Sequence, residues 1–195
     1  TDGYSYQTKE VEETVDHLIK RFKKYRIDLS DPNVDAIFQK RERIRIEYEN
    51  YTQIGNEIRE TKNHKIKLVN FRKDVSLLQF QKEPVVHMVK IPNVANFSIP
   101  GAGKTVMAYA AYFILKSQKK VDQLFVICPR ASFGPWTEIF EFVTGADATK
   151  HIIRYHDAAY NRPKKLKRLK NYDIVLTTYE TAGIDLRKLK NYFRE

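Results

Sequence analysis

The chain has one cysteine in 195 residues, Cys128. A single thiol excludes an internal disulfide and any zinc site built from several cysteines. It stands in the apolar run LFVIC, Leu124 to Cys128, and so reads as a reduced core residue of a cytosolic or nuclear protein. No stretch reaches the roughly 18 consecutive apolar residues of a bilayer-spanning helix. The first residues, TDGYSYQTKEVEE, lack the basic-then-apolar plan of a secretory signal. Internal repeats and low-complexity tracts are missing as well. Acidic residues are in short supply: 24 stand against 35 lysines and arginines, which leaves a net charge of +11 and a pI near 9.6. Such an excess favours a polyanionic partner, most simply nucleic acid.

What is present centres on Ser98-Ile99-Pro100-Gly101-Ala102-Gly103-Lys104-Thr105. The apolar run Val94 to Phe97 before it reads as a buried strand, and Val106 to Leu115 after it has helical length. Strand, glycine-bearing loop, Gly-Lys-Thr and helix form the context of a phosphate-binding loop. Gly101 and Gly103, around Pro100 and Ala102, let the backbone bend tightly and turn N–H groups inward onto a phosphate. The helix opening at Lys104 adds the positive end of its dipole. Lys104 is long enough to reach the β- and γ-phosphates of a nucleotide, and the Thr105 hydroxyl is placed to ligate Mg²⁺. The first glycine of the strict pattern is replaced by Ser98.

The rest of the chain divides by character. Residues 1–75 are polar and rich in helix formers and read as a helical accessory region. One helix is expected over Thr8 to Tyr25. A second opens at Ser30-Asp31-Pro32 and runs to near Lys62, with Val34, Ile37, Phe38, Ile44, Tyr48, Tyr51, Ile54 and Ile58 as its apolar stripe. Arg41, Arg43 and Arg45 read as a solvated helix face. Residues 76–195 form the α/β part. Leu124 to Cys128 is a strand of the continuous apolar kind found in parallel sheets. A helix begins at Gly134-Pro135 and is closed by Gly145. His151 to Tyr155 and Tyr172 to Thr177 read as further strands, and Ile184 to Phe193 as a last basic helix. Between the strands, Arg162, Lys164, Lys165, Lys167, Arg168 and Lys170 form a run without an acidic residue. Strands alternating with helices predict a doubly wound α/β layer with a mostly parallel sheet.

Four segments in order resemble the first RecA-like domain of superfamily 2 helicases and translocases, most closely the Swi/Snf-type remodeller ATPases. LLQFQKEPVVHMV resembles the adenine-recognition motif, with Phe80 and Gln81 as its aromatic and glutamine and Pro84 where the family has glycine. A carboxamide donates and accepts together, which matches the N6 and N7 edge of adenine. SIPGAGKT resembles the superfamily's AxxGxGKT loop. VICPRASFGPWTEIFEF resembles the segment in which Cys-Pro ends a strand and a tryptophan follows, here Pro129 and Trp136. YDIVLTTYET resembles the later strand whose threonines touch the DNA backbone. The resemblance implies a RecA-like P-loop domain, ATP and Mg as cofactors, and Lys104 as the catalytic cation. It places duplex DNA at Arg130, Thr177 and Thr178.

The family's acidic motif, four apolar residues closed by an acidic pair, does not occur in these 195 residues. The second RecA-like domain, which supplies arginine fingers, is not found either. The expectation is therefore the ATP-binding half of a double-stranded DNA translocase, inactive in hydrolysis by itself. Two alternatives stay open: a restriction-enzyme-type or RNA helicase motor of the same superfamily, and a binding module that never hydrolyses ATP.

Overall fold

The computed structural model describes residues 32–193, and the expected helix over Thr8 to Tyr25 lies outside them. The chain divides into two compact units, Thr1–Gln53 and Ile54–Glu195.

Helix α1, Pro32–Glu60, starts at the expected proline and is 29 residues long. Its stripe is more exposed than its periodicity predicts. Ile44 and Tyr48 are 55% and 71% exposed, whereas Ile58 is buried. Arg45 pairs along the surface with Glu42 and Glu49, at 2.5 and 3.3 Å, as a solvated helix face does.

In the second unit the chain passes through Ile66, Leu68 and Phe71, which pack on the core. It then forms α2, Gln79–Lys90, and α3, Lys104–Ser117. Strand β1, Leu124–Ile127, leads by a 3₁₀ turn, Arg130–Ser132, into α4, Phe133–Thr144. Gly145 ends α4 in the left-handed conformation, φ 72°, as its place after the last apolar residue predicts. Strand β2 is Ile152–Tyr155, α5 is Arg162–Leu166 and β3 is Ile174–Thr177. Two short helices finish the described chain, α6 at Tyr179–Ile184 and α7 at Leu186–Tyr192.

The three strands form one parallel sheet in the order β1-β3-β2. This is the α/β layer with a parallel sheet that the sequence pattern predicts. β3 is central, and all four of its residues are buried. Ile174 and Leu176 face a core of Tyr109, Tyr112, Phe113, Phe133, Phe140 and Val143 from α3 and α4. Val175 points the other way, to Tyr155, Leu169, Ala182 and Leu189. Helices on both faces explain why this strand is buried throughout and carries three apolar residues in succession.

One expectation is corrected. Val94 to Phe97 is not a strand: no ladder pairs it, and Phe97 is 92% exposed. The side chain of Asn96 bonds to its own chain two residues on, at Ser98 N, 3.0 Å away, and such local bonds compete with a sheet ladder. The expected last helix is present as α7, set off from α6 by Asp185, whose carboxylate is drawn inward between the two.

Candidate functional site

The loop from Ser98 to Gly103 takes its path from two glycines in the left-handed region, Gly101 at φ 82° and Gly103 at φ 79°. A side chain held there costs about 1–3 kcal/mol. Gly103 has a second constraint: a Cβ would lie 2.6 Å from Nε2 of Gln81. Pro100 and Gly101 are exposed at the turn, and Ala102 is buried beneath it.

Gln81 is itself buried, at the third position of α2. Its Oε1 accepts from Leu78 N at 2.9 Å, and its Nε2 donates to the Ala102 carbonyl at 3.0 Å. One carboxamide therefore caps α2 and ties that helix to the loop. A glutamine offers two donor hydrogens and about two acceptor positions, so one of each stays open. Phe80, next to it, is 57% exposed.

Lys104 opens α3. Its ammonium donates to the carbonyls of Ser98 and, at 2.9 Å, Ile99. Both partners are neutral and belong to the loop it closes. Thr105 follows in the first helical turn, half-buried.

The expected nucleic-acid residues sit at the carboxyl ends of the strands, where open parallel sheets hold ligands. Arg130 is exposed in the turn after β1. Thr177 and Thr178 are buried. The Thr177 hydroxyl donates to the Tyr155 carbonyl at 2.8 Å, and Thr178 caps α6 by accepting from Thr181 N at 3.3 Å. His156 lies beside them, its Nδ1 3.3 Å from Thr181 Oγ1. The structure thus gathers Phe80, Gln81, Pro100, Gly101, Ala102, Gly103, Lys104 and Thr105 on one loop and its supporting helix. It sets Arg130, Thr177 and Thr178 just past the carboxyl ends of β1 and the central β3.

Two arrangements escape a reading of the sequence. The first is Asn96, which organises the entry to the loop; an asparagine two residues before a serine is the available signal. The second is Asp185, almost wholly buried and bonded to Arg162 Nε at 2.6 Å, Tyr155 Oη at 2.9 Å and Lys188 Nζ at 2.9 Å. Burial works to raise its pKa, but the bonds from Lys188, Tyr155 and Arg162 outweigh that and hold it below the usual aspartate value. Arg162, first of the basic run, is consequently a buried structural cation. Lys165, in the same run, pairs with Asp157 at 2.6 Å. Asp185 and Arg162 are 23 residues apart, and no local pattern links them.

Among the described residues no helix is long and apolar enough to cross a membrane. Residues 97–194, half of the chain, match the sequence model of the SNF2-related domain. The match takes in the loop, Trp136 and β3; Phe80 and Gln81 precede it. A solved structure of the Sulfolobus solfataricus SWI2/SNF2 ATPase core in complex with dsDNA is similar at 24% identity and a TM-score of 0.46. The alignment covers 60% of this chain and 24% of that one, so this chain spans about a quarter of its length. No curated protein matches. On the match over residues 97–194, the chain belongs to the SNF2-related domain family.

Proposed function

We propose that this chain is the nucleotide-binding part of an ATP-driven motor that moves on nucleic acid, with double-stranded DNA as its track. One observation carries the reading: a Gly-Lys-Thr helix start whose two loop glycines are left-handed and whose lysine has, among the described residues, only loop carbonyls as partners.

The residues suit Mg-ATP. Left-handed glycines turn successive N–H groups to one side, a concavity that binds anions, and the N-terminus of α3 adds its partial positive charge. Lys104 would exchange two neutral carbonyls for the β- and γ-phosphates, and Thr105 would contribute a hydroxyl to Mg²⁺. Bound there, ATP supplies the phosphoryl group whose transfer drives such motors. Gln81 would read the adenine edge with its remaining donor and acceptor while keeping its bonds to Leu78 and Ala102. Arg130 would hold a DNA phosphate without reading bases. Thr177 and Thr178 would add contacts by releasing hydroxyls now spent on Tyr155 and on the α6 cap.

Hydrolysis needs an acid to hold Mg²⁺ and orient water. Asp185 does not fill that role, because Arg162, Lys188 and Tyr155 already occupy its carboxylate. These 195 residues alone are therefore expected to bind ATP and to turn it over at close to the uncatalysed rate, and a turnover assay of the chain checks this. The direct test of the reading is calorimetry with Mg-ATP. Lys104→Ala should weaken binding by about 2–3 kcal/mol, the scale of a lost charge-assisted bond. Equal affinities of variant and parent would overturn the assignment.

A further inference from the structure

Asn96 has no counterpart in the phosphate-loop pattern, yet its side chain bridges both ends of the loop. Its Oδ1 accepts from Ser98 N at 3.0 Å and from the Ser98 hydroxyl at 2.5 Å. Its Nδ2 lies 3.6 Å from the sulfur of Met107, a fully buried residue of α3. The Ser98 carbonyl in turn accepts from the Lys104 ammonium. A continuous path therefore runs from the packed body of α3 through Asn96 and Ser98 to the cation.

From this path we infer that Asn96 is a positioning residue for Lys104, and that Asn96 with Ser98 does the work of the alanine-led loop entry that this sequence lacks. The inference rests on the nucleotide-site reading above. Two features carry it. The carbonyl of Ser98 points where its peptide plane points, and Asn96 fixes that residue from both its N–H and its hydroxyl, closing a turn of the Asx type. The direction of the Ser98 and Ile99 carbonyls then sets where the ammonium rests before phosphates replace them, so that Lys104 is already placed beside the site they enter. The Ser98 hydroxyl is also consumed internally, so the loop presents N–H groups and one cation to an anion rather than a competing hydroxyl. The segment has no strand ladder to hold it, which leaves the Asn96 bonds to fix its path.

A residue that places Lys104 acts on the phosphates Lys104 reaches, and ADP lacks one of them. Asn96→Ala should weaken Mg-ATP about tenfold and Mg-ADP by no more than about twofold in calorimetry. Asn96→Ser, whose hydroxyl can still accept from Ser98 N, should lose only about two- to threefold for ATP, with ADP unchanged. A merely structural role would lower both nucleotides together. Equal losses for ATP and ADP, or parental affinity in Asn96→Ala, would overturn the inference. If Asn96→Ala fails to fold, Asn96→Ser decides by the same ATP-to-ADP ratio. A parent that binds no nucleotide contradicts the functional reading and the inference with it. A parent that binds ATP, loses it in Lys104→Ala and keeps it in Asn96→Ala contradicts the inference alone.

Discussion

The two ends of helix α3 carry a lysine each, and they are held in opposite ways. Lys116, in the last turn, makes an ion pair with Asp173, 57 residues away, and that carboxylate also meets His151 Nδ1 at 2.5 Å. Lys104, at the first position, donates to two carbonyls five and six residues behind it. A cation at a helix C-terminus is favoured by the dipole, and one at the N-terminus is opposed by about 0.3–1 kcal/mol. Lys116 therefore adds to the framework it sits in. Lys104 works against its helix and has no counter-ion among the described residues. The difference teaches that two lysines of one helix can be held by opposite means, Lys116 by a carboxylate and Lys104 by neutral carbonyls alone among the described residues.

The pair Asp185–Arg162 is the most extreme framework charge, and breaking it should have the largest effect. Asp185→Ala leaves Arg162 buried without its carboxylate, which costs about 3–5 kcal/mol in chemical unfolding. A loss below about 1 kcal/mol would remove the contrast with Lys104. Next comes Lys116→Met, which removes a half-exposed pair with Asp173 and should cost about 1–2 kcal/mol of stability while leaving Mg-ATP affinity unchanged.

Acid should act on the framework selectively. Burial works to raise the pKa of Asp173, but bonds from His151 and Lys116 prevail and hold it low, as those around Asp185 do. With folded values below the unfolded value of about 3.9, the unfolded chain binds more protons in the interval between them. The stability from these groups is thus complete above about pH 5 and is lost as pH falls through the folded values. Unfolding midpoints between pH 3 and 6 check this, and Asp173→Asn should flatten the profile. The smallest effect is on base preference: Gln81→Ala should narrow any preference for ATP over GTP, since guanine presents acceptors where adenine presents a donor and an acceptor. Competition binding of the two nucleotides measures it.

Local chemistry was readable in the sequence, and long-range pairing was not. Gly145 after the apolar stripe of α4, Pro32 at the start of α1, and the apolar runs that became β1 and β3 each follow from propensity within a few residues. The loop was readable for the same reason, since its glycines, lysine and threonine are contiguous. Val94 to Phe97 misled because a short, largely apolar run has strand character only if a neighbour pairs with it, and Asn96 turns the segment onto Ser98 instead. The basic run shows the same limit, because nothing in it distinguishes Arg162, buried against its partner Asp185, from its neighbours. Thr177 and Thr178 illustrate the same limit. Their position at the end of a strand is evident from the sequence, whereas the burial of their hydroxyls against Tyr155 and α6 depends on the assembled fold.

The central claim is that Lys104 is held ready for a phosphate while the other lysine of α3 is held for the fold. Thermal unfolding of the parent, Lys104→Ala and Lys116→Met, each with and without saturating Mg-ATP, tests both halves at once, because a ligand that binds the folded state raises its midpoint. Lys104→Ala should unfold at or slightly above the parental temperature and show little rise with ATP. Lys116→Met should unfold earlier and keep the full ATP-dependent rise. An undiminished rise in Lys104→Ala, or a lost one in Lys116→Met, would contradict the account.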